Sequence, residues 1–439
     1  MTDNTVLRVQ PNSRKNYVLL AIREVSNSKV YGGIRIGDRL KHDDHSQPGP
    51  HAFGHVMMIH GANNVEVNGV TMKYGLGDGL HIASIGFTFE AGYVPSKNIK
   101  VTNCIFDSNR RNNVSITDGF DIDIDKNTFL RAGIDLPNSE GKAPGFALDI
   151  EASRASVNGE LVFYEDAHHI TIRSNVEKDS KYGSFIVAIG HDVTIENNKT
   201  EKAISIGAGY NVTISDNELT ANPNNKSSAG IVTGHPDAKD TYNNVISNTT
   251  IKGYNVAIAA YQRDTEIYGN NIIDFDIGIQ PKNIKNYEIY NNTFTSTVSN
   301  SIGIFGNLTT MENVNIYENN LKNVARESFK FVAVNEGVEA ENFKITVRNN
   351  QLANSGTFSR SNGIDFMNNQ TKEGIIFINA KNMSVSGNNI ESTGQDAIRI
   401  KEGCSNLTIQ SNTIKVIGNN LDCIDQTSGG TNITISNNT

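Results

Sequence analysis

The chain has 439 residues, with 39 Lys and Arg against 47 Asp and Glu, a formal charge of −8, and its basic residues are scattered. That balance excludes nucleic acid as a partner, which calls for a basic stripe or patch. No apolar run approaches the roughly 18 residues of a membrane span, the amino terminus MTDNTVLRVQ lacks the basic and apolar regions of a secretory signal, and three cysteines cannot build a disulfide framework.

In chain order, the first predicted elements are a strand-like NTVLRV and the strand GGIRI at 32–36. GDRLKHDDHSQPGPHAFGH follows, far longer than a strand corner needs, and then the strand VMMI at 56–59. Six of the ten histidines (His42, His45, His51, His55, His60, His81) fall between 42 and 81. Two segments with shorter turns come next, YGLGDGLHI at 74–82 and FDSNRRNNVSI at 106–116, before the pattern opens again in FLRAGIDLPNSEGKAPGFALDI at 129–150.

From 124 onward one phrase recurs, a β-branched or aliphatic residue followed three positions later by Asn and then by another apolar residue. It begins as IDKNTF at 124–129 and ends as ISNNT at 435–439. Its asparagines are Asn127, Asn175, Asn198, Asn217, Asn270, Asn292, Asn319, Asn350, Asn388, Asn412 and Asn438, with tightest steps of 19 to 24 residues. A second short strand follows each phrase, as in GIQ at 278–280 and AIRI at 397–400. Short strands repeating about every 23 residues predict an all-β solenoid, a single-stranded right-handed parallel β-helix. Alternation sends Ile and Val inward, Asn is expected to hold the left-handed corner, and stacked Asn side chains can bond along the axis. Uniform composition predicts one domain over 1–439, and the ends without caps read as a fragment lacking its N-terminal cap and C-terminal end. Cys104, Cys404 and Cys423 are expected as buried stack residues.

The long loops 37–55 and 130–145, placed at the same corner, would wall a trough floored by the two short-turned coils. Aligning Leu80-His81-Ile82, Val114-Ser115-Ile116 and Leu148-Asp149-Ile150 stacks His81, Ser115 and Asp149 outward, roughly 4.8 Å apart. Glu151 is the next outward position, while Asp78, Arg110, Arg111 and Asn112 sit at the corner. Glycoside cleavage needs paired carboxylates, which Asp78, Asp149 and Glu151 could supply. Elimination from a uronic acid needs a base beside a cation, as His81 with Arg110 or Arg111. The candidate catalytic residues are therefore Asp78, His81, Arg110, Asp149 and Glu151, and the candidate substrate contacts Asp38, Arg39, His51, His55, Arg111, Asn112 and Ser115. The plain alternatives are a surface histidine at 81, a lateral salt-bridge ladder at the arginines, and a structural Asp38–Arg39 at the loop base.

His42-x-x-His45 and His51-x-x-x-His55 have metal-like spacings without a supporting helix or cysteine, and no metal or cofactor is expected there. Asp121, Asp123 and Asp125 alternate outward as calcium (Ca2+) ligands would, and a solvated strand face accounts for them equally. With no Trp and few Tyr near the trough, a sugar-stacking platform is not expected, which favours catalysis over lectin-like binding.

At these residues the chain resembles the right-handed parallel β-helix proteins of the pectin-lyase-like superfamily, which includes polysaccharide lyases, polygalacturonases, alginate epimerases and phage tailspike depolymerases. It is similar in particular to bacterial and phage members with a GDR…H…GH segment (Gly37, Asp38, Arg39, His51, Gly54, His55) and a GDG coil (Gly77, Asp78, Gly79). Their Asn-Arg…Ser coil corresponds to Asn109, Arg110 and Ser115, and their Ala-Pro…Asp-Ile-Glu coil to Ala143, Pro144, Asp149 and Glu151. Partial echoes of polygalacturonase motifs, Thr117-Asp118-Gly119, Gly190-His191-Asp192 and Arg399-Ile400-Lys401, fall on unrelated coils. The resemblance implies an extracellular or virion-associated enzyme that acts on a polysaccharide, as depolymerase, lyase or glycoside hydrolase. The alternative it carries is a non-catalytic glycan-binding adhesin or phage tail fibre, homotrimeric if a spike.

Overall fold

Alternating aliphatic residues in each short strand drive the chain into a single-stranded right-handed parallel β-helix. A computed structural model describes residues 5–14, 16–42, 53–235, 240–339 and 343–439, so His45 and His51 lie outside the described residues. The chain divides into two units, Met1–Ser227 and Ser228–Thr439.

In the first unit three parallel faces carry the coils. One face runs Val6–Arg8, Ile34–Ile36, Thr71–Lys73, Ile105–Asp107, Thr128–Leu130 and Val176–Lys178, and its inward Met72, Phe106 and Phe129 are partners in register. A second runs Asn16–Arg23, Phe53–His60, Leu80–Ala83, Val114–Ile116, Phe146–Glu151 and the first half of Gly183–Glu196. The third runs Ser26–Tyr31, Asn63–Asn68, Lys97–Thr102, Gly119–Asp125, Ala167–Arg173 and the second half of Gly183–Glu196. Inward side chains such as Ile59, Ile82, Ile116 and Ile150 are fully buried, each contributing about 1.5–3 kcal/mol relative to exposure. The second unit repeats the pattern, one of its faces running from Thr250–Lys252 to Thr413–Ile417, with Phe358 and Phe377 stacked at 5.4 Å.

The asparagine ladder exists, with one correction. Asn127 donates its Nδ2–H to Asn175 Oδ1 (3.1 Å) and to the Val101 carbonyl (2.9 Å), while Asn175 Oδ1 also accepts the Asn127 backbone N–H (2.8 Å). Asn175, Asn198 and Asn217 continue this bonding, and in the second unit Asn270, Asn292, Asn319, Asn350, Asn369, Asn388, Asn412 and Asn438 do the same. The left-handed residue, however, is the one before each rung: Lys126, Ser174, Asn197 and Asp216, with φ of 54–56°. Turning there aims the next side chain into the stack, where its amide saturates neighbouring backbone groups. Cys104 takes the rung before Asn127 and, like Cys404, is buried, whereas Cys423 is exposed, against expectation.

A second left-handed column, Asn27, Asn64, Asn98, Asp121, His169, Asp192 and Asn211, marks the corner into the third face. Asp121 thus belongs to a corner, and Asp123 lies 2.8 Å from Arg173, which also approaches Asp125 at 3.7 Å. The triplet weighed as calcium ligands or as a solvated strand face is split between corner and strand, its two strand acids facing a guanidinium.

Loop placement bears on the predicted trough. The 131–145 segment leaves the first face and rejoins the second, residues 37–42 leave the first face at the same corner, and the 74–79 and 108–113 connections there are short. Two further excursions leave the second face on its other side, residues 84–96 and 152–166. The latter contains an antiparallel hairpin, Arg154–Val157 with Glu160–Phe163. Among the described residues no helix is long and apolar enough to cross a membrane.

Candidate functional site

The floor of the trough is the predicted column. Ser115 pairs in register with His81 on one side and Asp149 on the other, with Val114 and Ile116 inward between them. Around it a hydrogen-bond network closes. Asp78 is fully buried, and its carboxylate accepts the Asn112 N–H (3.0 Å), the Ser115 hydroxyl (2.9 Å) and Arg111 Nη1–H (2.9 Å). Its own N–H donates to His55 Nδ1 (3.2 Å), so the proton of His55 sits on Nε2. Burial opposes ionisation of Asp78, but Arg111, His55, His81 and the Asn112 N–H outweigh it and hold the carboxyl below its ordinary value.

Asp149 is arranged oppositely. It is 2% exposed, its Oδ2 accepts only Asn112 Nδ2–H (3.0 Å), and its Oδ1 is buried without a hydrogen-bond partner. Burial first, and the Glu151 charge second, push its pKa up to about 7. Glu151, two residues on and exposed, approaches Arg111 Nη2 at 3.8 Å. Arg111 therefore bridges a buried and an exposed carboxylate, and its pKa is raised by Asp78 foremost.

Three imidazoles line one wall. His81 Nδ1 lies 3.2 Å from His60 Nε2, and its ring centroid is 4.9 Å from those of both His55 and His60. Burial lowers all three pKa values, that of His60 to about 4, so the cluster is neutral near pH 7. His81 Nε2 also meets the Thr117 hydroxyl at 3.5 Å, which donates to Glu165 Oε1 (3.0 Å).

Several expected substrate contacts prove to be braces. Arg39 is buried and donates to Ser139 Oγ (3.0 Å) and to the carbonyls of Ser108 (2.7 Å), Ser139 (3.0 Å) and Ile134, which pins the 131–145 loop. Asp38 accepts from His42 Nδ1 (2.9 Å) and Asn12 Nδ2 (3.0 Å). Asn112 and Ser115 are consumed by the Asp78–Asp149 network, so they position carboxylates instead of facing solvent. Arg110, expected in the catalytic column, turns to the loop and donates Nε–H to the Glu140 carbonyl (3.0 Å). Both arginines lie in the bend between Ile105–Asp107 and Val114–Ile116, and Arg111 is the one that faces the acids.

Sequence reasoning missed a neighbouring acid group. Asp118 is fully buried, accepts the Tyr93 hydroxyl (3.0 Å) and the Asp166 N–H (2.9 Å), and burial pushes its pKa up to about 7. Asp166 accepts from His191 Nε2 (3.0 Å), and Glu165 is also raised by burial. The signal in the sequence is Thr117-Asp118, one of the partial motif echoes on unrelated coils. Beside them Phe120, His168, His191 and Tyr210 form one stack, centroids 4.7–5.2 Å apart and nearly parallel, each ring covering its neighbour.

A family model described as periplasmic copper-binding protein (NosD) matches residues 132–319. The described residues of that stretch do not fit copper. Both ring nitrogens of His191 are engaged by Asp166 and Asp192, and among the described residues no three His, Cys, Asp or Glu are grouped to hold a metal ion. The chain is 28% identical over 282 residues to the uncharacterized protein YclG of Bacillus subtilis (strain 168), covering 63% of this chain and 47% of that one. It is 28% identical over 273 residues to the SPbeta prophage-derived uncharacterized protein YorA of the same organism, covering 61% and 45%. The aligned part thus spans about half the length of these curated relatives. Among solved structures, PfbA, a surface adhesin of Streptococcus pneumoniae, aligns over 78% of this chain and 81% of its own at 14% identity and TM-score 0.44. The tailspike protein of E. coli bacteriophage HK620 aligns over 94% and 65% at 9% identity and TM-score 0.40.

Proposed function

We propose that the first unit binds a polysaccharide in the trough and cleaves it by hydrolysis, outside the cell or on a virion. The observation that carries this reading is the separation of Asp149 from Glu151. Asp149, whose pKa is pushed up to about 7, stands two residues from an exposed carboxylate, the acid and its partner that glycoside hydrolysis requires. Asp149 would protonate the glycosidic oxygen as its bond to the anomeric carbon breaks. Glu151 would either take the anomeric carbon or remove a proton from the attacking water. Asp78 holds Arg111, Ser115 and Asn112 in place. Elimination is less well supported, because it needs a cation to neutralise the uronate, and Arg111 is already held by Asp78 at 2.9 Å. The prophage origin named for one relative is in keeping with a virion location.

The depth of Asp149 favours a second reading, binding without cleavage. Both are tested by incubation with neutral and acidic polysaccharides, reading new reducing ends and the absorbance of unsaturated uronates. Reducing ends without that absorbance, lost in Asp149→Asn, are expected. Unsaturated products would select elimination, and silence on every substrate would select binding alone.

A further inference from the structure

We propose that Phe87, Phe89 and Tyr164 form a stacking platform for the neutral sugar rings of a polysaccharide leaving the trough, an inference that rests on reading the trough as a glycan site. Phe89 is 63% exposed and Phe87 40%, two exposed aromatic side chains brought together on one loop. The centroids lie 5.4–5.8 Å apart, and the planes splay at 27°, 48° and 75°. Splayed rings keep separate faces open, unlike the Phe120–Tyr210 stack, whose members cover one another. An open aromatic face suits the apolar C–H face of a pyranose.

The platform is built rigidly. It joins two excursions from the trough floor, the 84–96 loop and the 152–166 hairpin. Thr88 ties them, its N–H donating to the Tyr164 carbonyl and its hydroxyl to that of Phe163, both at 2.9 Å. Glu90 folds its carboxylate onto the Phe87 N–H (3.0 Å), and Ile85 bridges Val94 across the loop. Rings held by backbone bonds lose little freedom on binding.

Continuity and charge identify the occupant. Tyr164 is followed directly by Glu165, which bonds Thr117, which meets His81, so two hydrogen-bond links join the residue next to the platform to the column. The acidic groups around this path are Glu90, Glu151, Glu165 and Asp166, the last bonded to His191, against Arg111, engaged by Asp78, and Arg154, laid over the Phe163 ring at 5.6 Å. Such a field repels a polyuronate and leaves neutral chains as the fitting ligand.

The test measures binding to the Asp149→Asn protein, which separates binding from cleavage, with short and long oligosaccharides of β-glucan, xylan, galactomannan and α-glucan, and of polygalacturonate and alginate for comparison. Calorimetry is run with and without Phe89→Ala, whose exposed site spares the fold, and with Leu308→Ser in the second unit as control. Long neutral oligosaccharides are expected to bind, about 2- to 10-fold more weakly per ring removed. Unchanged affinity in Phe89→Ala, preference for the acidic set, or a dimer of the chain that this substitution dissociates would overturn the platform. Phe89-dependent binding without cleavage by the wild-type protein keeps the platform and removes hydrolysis. Cleavage indifferent to Phe89 does the reverse, and no binding to any glycan removes both.

Discussion

Replacing Asp149 by Asn tests the protonation argument without any knowledge of substrate. The folded protein holds this carboxyl at about 7, against an ordinary 3.8. Each unit corresponds to about 1.4 kcal/mol, so ionising it in the fold costs up to about 4 kcal/mol relative to the unfolded chain. Because the folded value is the higher one, the native state keeps a proton that the unfolded state has lost between about pH 4 and pH 7. Stability from this group is fully present below pH 4 and is lost as pH rises through 7. The amide introduced by Asp149→Asn does not titrate, and its oxygen can still accept from Asn112. Whatever constant cost the substitution carries, the difference in unfolding free energy between variant and wild type should swing by up to about 4 kcal/mol in the variant's favour from pH 4 to pH 8. Denaturant unfolding at a series of pH values reads this directly. Parallel curves would mean that Asp149 is ionised in both states, and the proton-donor assignment would fall. In Glu151→Gln the like charge is gone, so the swing should move to lower pH.

Activity on any cleaved substrate should decline as pH rises through about 7 and Asp149 loses its proton, with the alkaline limb shifting in Glu151→Gln; a limb that stays put in both proteins would exclude Asp149. Arg111→Gln strands the fully buried Asp78 carboxylate and should cost about 3–5 kcal/mol by denaturant midpoint, much of it recovered in Arg111→Gln with Asp78→Asn. Asn198→Ala removes bonds to the Ile172 carbonyl, Asn217 and Asn175, and should destabilise the first unit by about 2–4 kcal/mol. Arg39→Ala should expose the 131–145 loop to native-state proteolysis, while an unchanged digestion pattern would show the loop is held without it.

What could be read from the sequence was what strand alternation and stacking dictate. The column of His81, Ser115 and Asp149 follows from aligning three short strands, since a one-residue slip would turn Leu80, Val114 and Leu148 outward. Side-chain direction at corners was less legible. Arg110 and Arg111 are chemically identical in sequence, and only the folded path shows that one meets a loop carbonyl and the other two carboxylates. Asp38 and Arg39 read either as ligand groups or as a brace at the loop base, and the brace depends partly on Ser139, a hundred residues away, which no local pattern reveals. The hairpin beside the site did leave a mark: Asn158-Gly159, both left-handed, between the alternating RASV and ELVF, is the signature of a two-residue turn. It was submerged in a chain where Asn occurs at nearly every corner.

The asparagine column has a direction. Each amide donates its N–H toward the following coil and receives at its oxygen from the preceding one. The two ends of such a row are therefore chemically unequal. The leading rung needs no side-chain amide, because its backbone N–H alone reaches the next oxygen, and Cys104 and Thr249 stand in that place. Every interior rung must both give and take, which an aspartate cannot do. Amides aligned head to tail polarise one another, so each row behaves as a wire of dipoles, and spontaneous deamidation at an interior rung would break it.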